Sequence, residues 1–412
     1  MKITVLTLGC KVNQAESTFI EGNLLDLGCS IVELSEHPDY CVINTCSVTA
    51  KSDYQSRQLI RRAVRAGAKV IVTGCYSELR PEEIRRIAGN VDIVRNNDKY
   101  NIINMLSIRT KSNCSVFSAR SRPYLKIQDG CNSACSYCVV PKARGRSRSL
   151  AVSEIIDQVL RLESCGYHEI VLTGIHLGSY GKDLKPKLKL SNIVGTILEK
   201  TNISRIRLSS IELNEIDGNI VELLREERIC RHIHVPLQSG DDTILKRMNR
   251  SYTKEDYIRA IETVSRSVPE IAIGTDVIVG FPGEGEKEFL NTRNLLGTLP
   301  LAYIHIFPFS PRPDTVAFGM DNQVPYDIKK ERFQEINALN NDKKFTYMSS
   351  QLDRTLGVVV EEQYNDEAAI GRSSNYLKIK VCSRKYQRKS LVYVRTAGIE
   401  GNLINGFPIE KS

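Results

Sequence analysis

No stretch of this sequence is apolar for as long as a membrane span requires, which excludes a helical membrane protein. No charged leader followed by a long apolar segment opens it, so MKITVLTLGC is better read as a buried first strand than as an export signal. Internal repeats and low-complexity tracts are missing as well, which leaves ordinary folded domains. No hydrophobic tail anchor follows the last segment, and the expected location is the cytosol. In that reducing compartment the twelve cysteines are expected to be metal ligands, catalytic thiols or buried apolar residues rather than disulfides.

What is present is a chain of 412 residues, too long for one core, with 41% hydrophobic and 25% charged residues as in soluble globular proteins. The formal net charge of +9 favours an anionic partner only modestly over so large a surface. Basic residues gather locally, as Arg57, Arg61, Arg62 and Arg65, as Lys142, Arg144, Arg146 and Arg148, and as Lys246, Arg247 and Arg250. The bland account of each group is a solvated helix or loop face.

The patterning predicts an α/β protein of three domains. Over residues 1–106 the runs KITVLTL, YCVIN, KVIVTG and VDIV read as strands, alternating with helices over 15–27, 53–66, 81–88 and 98–106. That alternation implies a parallel sheet. Residues 107–122 are polar and aperiodic, as a linker would be. Over 123–346 six strand–helix units, with strands at YLKIQ, EIVLTG, RIRLS, HIHVP, IAIGTDVIVG and AYIHIF, predict a partial (β/α)6 barrel whose chemistry sits at the carboxyl ends of the strands. Over 347–412 the segments TLGVVVEEQ, AAIGRSSNYLKIKVC and SLVYVRTAG predict a small all-β barrel.

Directly after the first barrel strand stands Cys131-x-x-x-Cys135-x-x-Cys138. Three thiolates this close can hold one face of an iron–sulfur cubane and leave one iron without a protein ligand. Zinc would need a fourth ligand, and none of the six histidines is a sequence neighbour, His168 being taken as the closest downstream. Three more cysteines, Cys10, Cys46 and Cys75, each end a predicted strand, and a parallel sheet brings such ends to one edge. The alternative is that one or more of them packs inside, the fate expected of Cys29, Cys41, Cys165, Cys230 and Cys382. Cys114, in the linker, is left unassigned.

The segments TLGCKVNQAES, VINTCSVT, VTGCY, GCNSACSYCVVPKARGRSRS, EIVLTGIHLGSYG, HIHVPLQSGDDTILKRMNRSYT, DVIVGFPGE and HIFPFSPRPDTVA, in this order, resemble the radical S-adenosylmethionine (SAM) methylthiotransferase family along most of the chain. Within it they look most like the branch acting on N6-threonylcarbamoyladenosine 3′ of the tRNA anticodon. The resemblance implies two [4Fe–4S] clusters, an auxiliary one on Cys10, Cys46 and Cys75 and a radical-generating one on Cys131, Cys135 and Cys138. Two SAM molecules per turnover are implied, one methylating a sulfur at the auxiliary cluster and one cleaved to a radical that takes hydrogen from carbon 2 of the adenine. A tRNA anticodon stem-loop, an electron donor and a sulfur donor complete the implied partners.

The same resemblance points to a SAM site at Tyr137, Thr173 and Gly174, with Ser209, Ser210, Glu212 and Gln238 offering polar contacts and the Gly280–Gly283 turn approaching the adenine. Each polar residue alone is equally a cap or turn former. It makes the C-terminal module a TRAM domain, in which Lys378, Lys380, Arg384, Lys385, Arg388 and Lys389 would neutralise phosphates and Tyr376 and Tyr386 would stack on bases. Arg144, Arg146 and Arg148 are further RNA-binding candidates. The rivals are a methylthiotransferase acting on isopentenyladenosine or on a ribosomal protein, and a non-catalytic RNA-binding protein whose cysteines hold structural metal.

Overall fold

The protein is described from a computed structural model over residues 1–106, 120–383 and 385–410. The N-terminal alternation folds as a parallel sheet, in which β1 (Lys2–Thr7), β2 (Ser30–Ile31), β3 (Tyr40–Thr45), β4 (Lys69–Gly74) and β5 (Asp92–Ile93) lie in the order β2-β1-β3-β4-β5. The inner strands are apolar because helices cover both faces: Ile3, Val42 and Ile71 pack on one side, Cys41, Ile43 and Val72 on the other. Helix α1 (Lys11–Asp26) starts four residues before the expected 15, directly after Cys10, and α2 (Ala50–Arg65) starts at a Thr49 cap that accepts from Ser52 N–H. A five-residue helix α3 (Cys75–Leu79), absent from the sequence expectations, begins on the third cysteine.

The central region opens with β6 (Tyr124–Lys126), and a short antiparallel pair, β7 (Gln128–Asp129) and β8 (Arg148–Ser149), brackets the Cys131–Cys138 loop. Then come β9 (Glu169–Thr173), β10 (Arg205–Leu208), β11 (His232–His234), β12 (Ala272–Val279) and β13 (Tyr303–Pro308). β6, β9 and β10 pair in parallel, as do β11, β12 and β13, and the bridges Ile206–Ile229 and Ser210–His234 join the two halves. The result is the expected six-stranded partial barrel. Its outer face is oily: Ile170, Leu172, Ile206, Leu208, Ile233 and Ile304 pack against the helices, each such burial contributing about 1.5–3 kcal/mol.

A 25-residue helix over Tyr326–Ser350 lies along β13, and Asn340 Oδ1 accepts from Ile304 N–H at 2.8 Å. A closed barrel follows, β14 (Thr355–Gln363), β15 (Ala369–Ser373), β16 (Lys378–Val381), β17 (Leu391–Glu400) and β18 (Leu403–Pro408), in the order β14-β15-β16-β18-β17. Three strand segments were expected. AAIGRSSNYLKIKVC instead splits at a turn over 373–376, where Tyr376 takes φ 67°, and a fifth strand closes the barrel. Most of the linker, with Cys114, lies outside the described residues, as does Arg384. Among the described residues no helix is long and apolar enough to cross a membrane.

Candidate active site

Cys10, Cys46 and Cys75 stand at the carboxyl ends of the adjacent strands β1, β3 and β4. Two buried asparagines tie these ends together: Asn13 Nδ2 donates to Leu8 O at 2.8 Å and Thr45 O at 2.9 Å, and Asn44 Nδ2 donates to Asn13 O at 2.9 Å. Gly74 sits at φ 102°, where a side chain would run within 2.3 Å of Thr45 O, so the turn that delivers Cys75 requires glycine. The three thiols feel one another: burial, then Cys75 and Cys10, push the Cys46 thiol up to about 11, and burial with Cys10 raises Cys75. All three therefore converge on one edge, with Cys10 exposed and the other two buried.

The second set is carried by the loop after β7. Gly130 at φ 70° opens it, a Cβ there meeting Arg146 O at 2.1 Å, and Ser136 Oγ donates to Arg247 O at 2.8 Å while Asn249 Nδ2 donates to Ala134 O at 2.7 Å. His176 Nδ1 lies 3.4 Å from Cys131 Sγ, and its Nε2 lies 3.0 Å from Glu215. Burial opposes the imidazolium, but these two partners raise it to about 10. Arg250 Nη1 donates to Cys135 Sγ at 3.4 Å and pairs with Glu212. The sequence argument against zinc took His168 as the closest downstream histidine, and the fold brings His176, from the β9 loop, into contact instead. Among the described residues His234, Asp276 and His305 gather three ligand atoms within 4.8 Å of one another.

Arg144 joins the two sets. It is expected among the RNA-binding residues, but its side chain is fully buried. It bonds Glu16 and Asp129 at 2.9 Å each and donates to Asn13 Oδ1, which also accepts from the Cys10 thiol at 3.9 Å. Glu16 of α1 also takes Lys99 and, at 2.9 Å, Lys126, and these cations hold its carboxyl well below its usual range against the penalty of burial. One buried carboxylate thus fastens the N-terminal sheet to the barrel beside both cysteine sets. On the far side, Arg312 Nη2 donates to Ser47 Oγ at 2.9 Å and pairs with Asp53.

The SAM candidates border the cysteine loop unevenly. Tyr137 packs on Phe281 at 6.4 Å beside an apolar cluster that includes Ile278 and Phe309. Thr173 ends β9 buried, and Gly174 lies so close to Gln128 that a Cβ would meet its Oε1 at 2.7 Å. The buried Ser209 Oγ has no hydrogen-bond partner among the described residues, whereas Ser210 is exposed and Glu212 is engaged by Arg250. Gln238 takes φ 69° and pairs with β12 through its backbone. Gly280 and Gly283 are filled from the protein side, by Lys329 and Arg247.

Among the remaining RNA-binding candidates Arg146 and Lys385 are exposed, and Arg148 is half-exposed, donating to Asn97 Oδ1 at 2.9 Å. Lys378 is half-exposed near Glu362, whereas Lys380 donates to Glu400 at 2.9 Å and Lys389 lies over Tyr167 at 3.9 Å. Tyr376 is no free stacking platform: it stacks on His232 at 4.3 Å and carries Arg372 and Arg207 over its ring at 4.9 and 5.3 Å. Cys165 is exposed and Cys382 half-buried, not the core residues expected, because one caps a surface helix and the other follows an edge of the small barrel. Cys29, Cys41 and Cys230 are buried.

The lumen of the partial barrel escaped the sequence reading. Its strands point Glu169, Arg205, Arg207, His232, His234, Asp276, Tyr303 and His305 inward, opposite the apolar outer face. The alternation in RIRLS, HIHVP and YIHIF carried that signal, since a period of two sends every second residue to the other face.

Residues 125–296 match the radical SAM superfamily, and residues 2–96 match the uncharacterized protein family UPF0004. The chain is 38% identical over 402 residues to the threonylcarbamoyladenosine tRNA methylthiotransferase MtaB of Bacillus subtilis, covering 90% of this chain and 88% of that one. It is 35% identical to the Aquifex aeolicus protein of the same name, covering 88% and 93%. Identity to the tRNA-2-methylthio-N(6)-dimethylallyladenosine synthase of Clostridium tetani is 30%, covering 90% and 88%. Among solved structures, the radical SAM methyltransferase TsrM of Kitasatospora setae with cobalamin and a [4Fe–4S] cluster superposes with TM-score 0.58 at 15% identity, covering 77% of each chain, a likeness of fold.

Proposed function

The chain belongs to the radical SAM methylthiotransferase family, and on that footing we propose that it converts N6-threonylcarbamoyladenosine, 3′ of the anticodon in tRNA, to its 2-methylthio derivative. The substrate follows the higher identity to relatives named for that nucleoside than to the one named for the dimethylallyl nucleoside. We assign Cys131, Cys135 and Cys138 to a [4Fe–4S] cluster that binds SAM, Cys10, Cys46 and Cys75 to a second, and two SAM molecules to each turnover. Together with SAM, such a cluster supplies a carbon radical strong enough to take hydrogen from an unactivated C–H bond.

This chain's own residues do the holding. His176, braced by Glu215, fixes the Cys131 sulfur; Arg250, braced by Glu212, sets a positive charge beside Cys135. Of the SAM candidates we favour Tyr137, which lies within that loop, and the buried Thr173 and Ser209, the last with an Oγ that has no hydrogen-bond partner among the described residues. Exposed Arg146 and Lys385 and half-exposed Lys378 are suited to RNA phosphates. An anticodon-loop base suits this site because it is splayed out at little cost.

The observation that carries the proposal is Arg144, one buried guanidinium bonded to Asp129, in the strand that leads into Cys131, and to Asn13, whose Oδ1 also accepts from the Cys10 thiol. This bonding supports reading the two cysteine sets as parts of one site. Anaerobic reconstitution with iron and sulfide tests it. We expect about eight irons per chain, falling to about four in a Cys131→Ala, Cys135→Ala, Cys138→Ala variant. Zinc without iron, or unmodified mass spectra of tRNA nucleosides from cells that depend on the protein, would remove the scheme.

A further inference from the structure

The inner face of β13 is occupied at its amino end and open at its carboxyl end. Ile304 and Ile306 pack outward among the barrel's apolar residues, so Tyr303, His305 and Phe307, each two residues apart, face the lumen. Tyr303 closes the floor: its hydroxyl lies 2.8 Å from His232 Nε2 and 3.1 Å from His234 Nδ1, and its ring packs at 5.6 Å on Tyr376 of the small barrel. Above it His305 is 52% exposed and Phe307 is 44% exposed. Inward-facing side chains are that exposed only where the lumen is open.

The open end is the one beside the cysteine loop. β12 runs along β13 with Asp276 opposite His305 and Ile278 opposite Phe307. Ile278 belongs to the apolar cluster on which Tyr137, between Cys135 and Cys138, packs. The neighbouring strand end leads the same way: His234 O accepts from Ile211 N–H at 2.9 Å, and Glu212, the next residue, holds Arg250 against Cys135. His305 and Phe307 therefore lie between the lumen floor and the cysteine loop.

His305 is held in one orientation with one nitrogen to spare. Asp276 Oδ1 lies 3.2 Å from His305 Nδ1 and 2.9 Å from His234 Nε2. Burial would raise the Asp276 carboxyl, but these two imidazoles bring it well below the usual carboxylate range. An ionised carboxylate only accepts, so His305 donates its Nδ1–H to Asp276. Its Nε2 has no hydrogen-bond partner among the described residues and is left for a ligand. An exposed aromatic ring beside such a polar tip fits a nucleobase that carries a polar substituent.

We propose that this face of β13 is the subsite for the target nucleoside, Phe307 stacking on the adenine and His305, positioned by Asp276, hydrogen-bonding the threonylcarbamoyl group on N6. The proposal rests on the substrate proposed above, and it makes His305 the specificity-determining residue. A threonylcarbamoyl group brings a urea, a hydroxyl and a carboxylate to His305 Nε2. An isopentenyl group brings only hydrocarbon and leaves that nitrogen desolvated and unpaired. Sites built to bond a polar group reject analogues lacking it far more strongly than they reject a missing methylene.

The test is the affinity of reconstituted holoenzyme for synthetic anticodon stem-loops that carry threonylcarbamoyladenosine, isopentenyladenosine or plain adenosine at the target position. Wild type is expected to bind the threonylcarbamoyl loop at least about tenfold tighter than the other two. His305→Phe should lose that preference by weakening the threonylcarbamoyl loop alone, and His305→Gln, which keeps a polar end, should retain part of it. Phe307→Ala should weaken all three loops alike, by about tenfold, as the loss of one stacked base does. All three variants should keep the wild-type iron content. An unchanged preference in His305→Phe overturns the specificity role, and an unchanged affinity in Phe307→Ala overturns the stacking role; either result, with wild type still favouring the threonylcarbamoyl loop, leaves the substrate standing. A wild type that binds the threonylcarbamoyl and isopentenyl loops alike overturns the subsite, and one that favours the isopentenyl loop overturns substrate and subsite together.

Discussion

Arg144 shows how little a residue's charge says about its role. In the sequence it stands in a basic run with Lys142, Arg146 and Arg148, yet it alone turns inward, because the helix over Val140–Arg144 ends against α3 and Glu16. Replacing it by methionine would leave Glu16 and Asp129 short of a buried counter-ion, a loss of about 3–5 kcal/mol. Denaturant melts of the Arg144→Met protein are expected to show that drop, and Arg146→Met is expected to leave the midpoint unchanged. An Arg144→Met protein as stable as wild type would mean that the buried network contributes nothing.

At the scale of elements, the partial barrel is joined to the small barrel through the amino ends of its strands. Glu169 of β9 is buried and takes Arg122, Arg205 and Arg207, and the last two of these arginines donate onward to the carbonyls of Gly357, Ser373 and Ser374. Burial alone would raise the Glu169 carboxyl, but the three guanidiniums bring it well below its ordinary 4.5. Unfolded, the group takes up its proton more readily than folded. The stability it contributes is therefore complete above about pH 4.5 and is lost as the pH falls below that value. Wild-type melting temperature should fall, as the pH drops below about 4.5, more steeply than that of Glu169→Gln, which starts lower at neutral pH. Parallel curves would place the acid sensitivity elsewhere. The turn at Tyr376 belongs to the same joint, so Tyr376→Ala should loosen the small barrel, seen as faster amide exchange in β15 and β16.

For the whole molecule, RNA has to approach by surface whose cations are not already spent on neighbouring groups. Lys378 and Lys385 on the small barrel and Arg146 at the cysteine loop are its accessible cations, while Lys380 and Lys389 are occupied. Replacing Lys378 and Lys385 with glutamine is expected to weaken tRNA binding and to lower the slope of log affinity against log salt by about 2, one unit for each phosphate no longer neutralised. The same change at Lys380 should move the slope less.

By itself, the sequence determined the order of domains, the six barrel strands and the cysteine spacing. These depend on periodicity and local turn chemistry, which neighbouring residues settle among themselves. It was less informative where strands of the small barrel are short and half-polar, so the 373–376 turn and β18 went unread. Only the tertiary structure decided which charges are spent. Arg144, Tyr376 and His176 look alike exposed in the chain, but the cost of desolvating each depends on which distant carboxylate, ring or thiol arrives beside it, and tertiary packing supplies those partners, for Arg144 from more than a hundred residues away.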